Sequence, residues 1–216
     1  MSKGAPTIDY SNILGNKAEE IKKDEVIAKK YKISFLGDSI LDVGYGPKFI
    51  KDFDKNYEIF IPNDNCRFAP YVLRCCFEYQ DQLKGSDLIH FNCGLWDVCY
   101  IFPNETLNFT PIDIYLHYLR RIVGVLKTYS PKIIFSLTTP VRDENPYNNN
   151  ETIGLYNKEV KKLMEELNIP VIDLYTPLIK DVKKYIREDD LIHLSADGIE
   201  VAYKLISDKI KKTLEK

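Results

Sequence analysis

Ser39, Asp190 and His193 are the residues of this chain whose types and setting suit nucleophilic acyl transfer. Ser39 lies in the stretch SFLGDSI, residues 34–40, an apolar run that stops at Gly37-Asp38-Ser39. A buried parallel strand reads this way, with glycine permitting a sharp exit and a hydroxyl left at the strand's carboxyl end. A serine hydroxyl attacks a carbonyl only when a base within hydrogen-bond reach takes its proton, and the base needs an orienting partner on its other ring nitrogen. The chain has three histidines. His90 sits in an apolar run and reads as a core residue, and His117 falls in the polar register of a long helix. His193 stands in a loop three residues after Asp190, a spacing at which one turn can bring the carboxylate to Nδ1. Plain turn chemistry for Ser39, and a helix N-terminal histidine bonded to a nearby carboxylate, are the local alternatives.

The elements that must bring these residues together alternate along the chain. Short, nearly continuous apolar runs at 32–36, 57–61, 87–92, 132–137 and 171–174 read as strands. Helical spacing or punctuation predicts helices at 47–53, 69–83, from Thr110-Pro111 to about 130, at 151–167 and 178–186, and from the Ser195 cap to about 214. Thr110 reads as the N-cap of its helix, with Pro111 at the first position. The order βαβα argues a three-layer α/β/α sandwich with a flavodoxin-like, five-stranded parallel sheet. Such sheets carry their ligands on the loops after strands. Besides Gly37-Asp38-Ser39, those loops hold Asn65-Cys66-Arg67 and Asn92-Cys93-Gly94-Leu95-Trp96-Asp97, with Asp190-Leu191-Ile192-His193 before the last helix. Residues 1–30 form a polar, lysine-rich extension with a helical stretch at 17–30, and 31–216 form a single domain.

These blocks, in this order, resemble the SGNH/GDSL hydrolase superfamily over residues 32–206. The resemblance makes Ser39 the nucleophile, Asp190 the orienting acid and His193 the base of an esterase or acylhydrolase working through an acyl-enzyme. It implies small acyl esters as substrates, among them acetyl groups on carbohydrates, and no metal or organic cofactor. The middle blocks depart from the family pattern. Cys66 stands where a glycine usually offers a backbone N–H to the oxyanion, and Trp96 where an asparagine usually offers its amide. Ser39, Cys66 and Asn92 are therefore the expected oxyanion donors, with the Trp96 indole as the alternative to Asn92. Arg67 and Trp96 are the expected substrate contacts, Arg67 also suiting an ion pair with Asp64, and Arg142 is equally ambiguous. Tyr45, Trp96, Tyr100 and Phe102 are candidates for an aromatic wall. An acyltransferase, or a binding module on the same fold, remains a rival reading; flavin or phosphate binding lacks a glycine-rich cradle.

Bulk properties narrow the classes further. A net charge of −2 with interspersed signs argues against a nucleic-acid or membrane-surface partner. No apolar run is long enough to span a bilayer, and residues 1–26 show no secretory signal, so a cytoplasmic location is expected. Five cysteines without a C-x-x-C pair argue against a disulfide framework or a zinc site.

Overall fold

The computed structural model of the chain describes residues 31–53, 55–102 and 105–215. The extension expected at 1–30 lies outside the described residues. Each strand forms where the sequence is apolar on both faces. β1 (Tyr31–Leu36) is buried from Ile33 onward, and β3 (Leu88–Phe91) and β4 (Ile133–Ser136) are buried throughout. β2 (Tyr57–Phe60) and the two-residue β5 (Val171–Ile172) are less covered and take the edges. All pairings are parallel, in the order β2-β1-β3-β4-β5. The strand order reverses between β1 and β3, so a crevice opens outside their carboxyl ends. Leu36 pairs with Phe91 there, which sets Gly37 and Asn92 side by side.

Helices cover both faces. α1 (Gly46–Asp52) follows a wide helical turn, Ile40–Tyr45, in which Gly44 departs from helical geometry at φ −96°, ψ −107°. α2 (Ala69–Glu78), α3 (Ile112–Leu126) and α4 (Asn150–Glu166) pack side by side, and α5 (Ala196–Leu214) packs on the wide turn and β5. α3 buries Tyr115, Leu119, Ile122, Val123 and Leu126, one helical stripe. The Asn149 side chain caps α4 at Thr152 N–H, and Ser195 caps α5 at Gly198 N–H. No helix among the described residues is long and apolar enough to cross a membrane.

Three expected elements differ. The helix over 69–83 breaks at Tyr79, where φ −103°, ψ 19° separates α2 from the turn Gln80–Leu83. The helix over 178–186 becomes short turns between Tyr175 and Tyr185, interrupted where Asp181 (φ −152°, ψ 74°) caps Lys184 N–H. Thr110 does not cap α3, which begins at Ile112 after Pro111; its hydroxyl serves Asp97 instead.

His90 illustrates what the core does to a titratable group. Its ring packs against Phe35 and Tyr45, Nε2 lies 2.7 Å from Ser136 Oγ, and Nδ1 is buried without a partner. Burial pushes its pKa down to about 3. The unfolded chain takes up this proton near pH 6.5 while the folded one resists until about pH 3, so acid removes stability across that window. His90→Gln lacks this loss. Between pH 7 and pH 4.5 the wild type should lose about 3 kcal/mol more than the variant, at 1.36 kcal/mol per pH unit. Urea melts at the two pH values check this; parallel losses would contradict it.

Candidate active site

The exit from β1 is pinned from both sides. A Cβ on Gly37 would sit 2.2 Å from Asn92 Oδ1, so only glycine lets the two loops approach this closely. Asp38 is buried, and its Oδ1 accepts from Ile40 N–H (3.0 Å) and from Asn92 Nδ2 (2.8 Å). Its carbonyl accepts from the N–H groups of Leu41 and Asp42 at 3.0 and 3.1 Å. Burial drives the Asp38 carboxyl up to about 6 against these hydrogen bonds and the His193 charge. The turn fixed in this way presents Ser39, whose Oγ lies 2.8 Å from His193 Nε2.

The second half of the constellation is a single local unit. Asp190 Oδ1 accepts from the N–H groups of Ile192 and His193 at 3.0 and 2.9 Å, closing a turn that Leu191 completes at φ 65°. That turn leaves Oδ2 facing His193 Nδ1 at 3.0 Å. Burial raises the Asp190 pKa, but the two backbone N–H groups and the imidazole outweigh it and hold the carboxylate below its ordinary range. Arg142 anchors the loop. Its backbone N–H donates to Leu191 O, and its guanidinium donates to the carbonyls of Ile186 (3.0 Å) and Lys183 (2.9 Å). Arg142 is thus a brace, which resolves its ambiguity in favour of structure. An antiparallel bridge, Ile186 to Leu194, holds the loop's base.

Beside Ser39 opens a cavity of about 340 Å³, its wall formed mainly by apolar side chains and including Trp96 and Tyr100. Arg67 does not line it. Its guanidinium lies over the Tyr71 ring, 5.4 Å from the centroid, and Asp64 pairs with the Tyr71 hydroxyl at 2.8 Å rather than with Arg67. Tyr45 is not a wall residue either: it is fully buried and donates to Asn92 Oδ1 at 2.8 Å. Phe102 is two-thirds exposed, outside the cavity lining. Among the described residues, no group of three or more His, Cys, Asp or Glu side chains is arranged to hold a metal ion.

No protein-family model matches the chain. It is 26% identical over 208 residues to a GDSL esterase/lipase of Arabidopsis thaliana, covering 84% of this chain and 86% of the relative. A GDSL-like lipase from Bacteroides thetaiotaomicron superposes with a TM-score of 0.67 at 17% identity, covering 95% of this chain and 100% of that one. A catalytic mutant of Axe2, an acetylxylan esterase from Geobacillus stearothermophilus, gives 0.67 at 20% identity, covering 83% and 94%. The chain is thus similar in sequence to a GDSL esterase/lipase and shares its fold with GDSL-like hydrolases.

Its departures from the SGNH/GDSL pattern have structural consequences. The Cys66 N–H donates to the Gly37 carbonyl at 2.9 Å, so this group ties two loops together and is not free for an oxyanion. Cys66 is therefore corrected from donor to brace. Its thiol, in contact with Cys75 and buried, is pushed far above the ordinary thiol range and is inert at neutral pH. Asn92 is shared differently: Asp38 takes one hydrogen of its NH₂ group, leaving the second. Asp97, which the sequence places in this loop without a role, is a buried carboxylate accepting from Ala69 N–H at the start of α2 with both oxygens, 3.1 Å each, and from Thr110. Burial raises it to about 7. Gly94 (φ 149°), in the same loop, passes so close to Thr138 that a Cβ would meet Oγ1 at 1.9 Å. Tyr147, Asn148 and Ile192 line the cavity as well. The first two follow β4, so the rule that singled out the loops after β1 to β3 applied equally to theirs.

Proposed function

We propose that the chain is a serine ester hydrolase. His193 Nε2 removes the Ser39 proton, Ser39 Oγ attacks the ester carbonyl, and Asp190 keeps the imidazole oriented and stabilises its cationic form. The negative oxygen of the tetrahedral intermediate is held by the Ser39 backbone N–H and the Asn92 amide hydrogen that Asp38 leaves over. Collapse of the intermediate expels the alcohol, which takes its proton from His193. Water, deprotonated by the same nitrogen, then attacks the acyl-enzyme, releases the carboxylic acid and restores Ser39. No step calls on a metal or organic cofactor. Small acyl esters are the proposed substrates, with acetylated carbohydrates included because of the likeness to acetylxylan esterases. Five buried, unpaired cysteines suit a reducing compartment such as the cytoplasm.

The observation that carries this reading is the continuous relay Ser39 Oγ, His193 Nε2, His193 Nδ1, Asp190 Oδ2, with links of 2.8 and 3.0 Å. Hydrolysis of 4-nitrophenyl acetate by wild type beside Ser39→Ala tests it. Turnover that survives the substitution would refute a nucleophilic Ser39.

A further inference from the structure

We infer that the cavity beside Ser39 is an acyl-chain subsite, selecting esters of medium-length apolar acids over acetate. The inference rests on the proposed ester hydrolysis and concerns what that site prefers. The wall is built from Leu95, Ile101 and Ile192 and the rings of Trp96, Tyr100 and Tyr147, and among the described residues no charged side chain lines it. Its one side-chain amide among the described residues, Asn148, is buried, and the Leu95 carbonyl takes one hydrogen of its Nδ2 at 2.8 Å.

A sugar ring entering this space would lose water from several hydroxyl groups and find few partners for them, a cost incurred at each unsatisfied group. An acyl chain gives up no hydrogen bonds. It would also cover apolar surface now facing water, since Trp96, Ile101 and Tyr147 are 41%, 38% and 51% exposed. A volume of about 340 Å³ is far more than an acetyl methyl group fills. The ester carbonyl is fixed at Ser39 by the reaction itself, so chain length translates directly into how much of this wall is covered. Acetyl esters react, with the cavity left largely empty. Longer acyl groups gain transition-state binding with each methylene buried, about fourfold per group.

The test is kcat/KM for 4-nitrophenyl acetate, butanoate and hexanoate with wild type, Ser39→Ala, Ile101→Asp and Ile101→Leu. The expected wild-type series rises about fourfold per methylene. Ile101→Asp, which puts a carboxylate on the wall, lowers the hexanoate-to-acetate ratio by at least about tenfold. Ile101→Leu restores that ratio. A flat or falling wild-type series, with acetate cleavage still dependent on Ser39, overturns the subsite while leaving ester hydrolysis intact. The subsite is equally overturned by an Ile101→Asp ratio equal to that of wild type. Absence of Ser39-dependent cleavage of all three esters overturns the ester-hydrolase reading and the subsite with it.

Discussion

Ser39→Ala and His193→Ala should each lower kcat for 4-nitrophenyl acetate by about 10⁶, and Asp190→Asn by about 10⁴. The first two losses are alike because the pair acts as a unit: without the base the hydroxyl stays protonated, and without the hydroxyl the base has nothing to activate. Asp190→Asn isolates a different contribution. An asparagine oxygen can still accept from Ile192 and His193 N–H, so the turn persists. Its amide would then donate to Nδ1, forcing the proton onto Nε2, where it blocks proton removal from Ser39. None of the three changes touches the core, and thermal melts should remain close to wild type. Asp190→Asn turnover within tenfold of wild type would show that His193 needs no orienting acid.

Asn92→Ala should lower kcat by about 10² to 10³ with little change in KM, the loss that follows removal of one oxyanion donor, about 2.7–4 kcal/mol. The complication is that Asn92 also braces Asp38 and receives the Tyr45 hydroxyl. Tyr45→Phe separates the two roles, because it loosens the brace and leaves both amide hydrogens in place. Its expected cost in kcat is below tenfold. If Asn92 were a brace alone, the two substitutions would slow turnover alike. A rise in KM with kcat preserved would reassign Asn92 to ground-state binding.

The parts of the site legible in the sequence were those encoded by local chemistry. Asp190-Leu191-Ile192-His193 is one turn, closed by its own carboxylate, so its geometry follows from spacing alone. Ser39 was legible because an apolar run ending in glycine fixes where a strand stops and on which edge of a parallel sheet the next residues fall. That the sheet is parallel and covered on both faces followed from the alternation of elements. What stayed hidden depends on which distant group a given N–H meets. Nothing near Cys66 in sequence signals that its N–H is taken by Gly37, and nothing near Thr110 signals that Asp97 claims its hydroxyl. Tyr45 was a candidate for the aromatic wall; at the end of the wide turn Ile40–Tyr45 it is instead buried in the core, its hydroxyl donating to Asn92. Arg67 was placed correctly on the loop after β2, but its left-handed φ of 51° and its stacking on Tyr71 are tertiary outcomes.

The nucleophilic role of Ser39 is tested most directly by covalent capture with a fluorophosphonate probe on the folded chain, followed by mapping of the modified residue. Phosphonylation consumes the serine oxygen only if a base removes its proton, so the adduct reports nucleophile and base together. One adduct per chain is expected, on Ser39, absent in Ser39→Ala and strongly slowed in His193→Ala. No adduct on Ser39, or an equal rate of labelling without His193, would contradict a Ser39–His193 nucleophile.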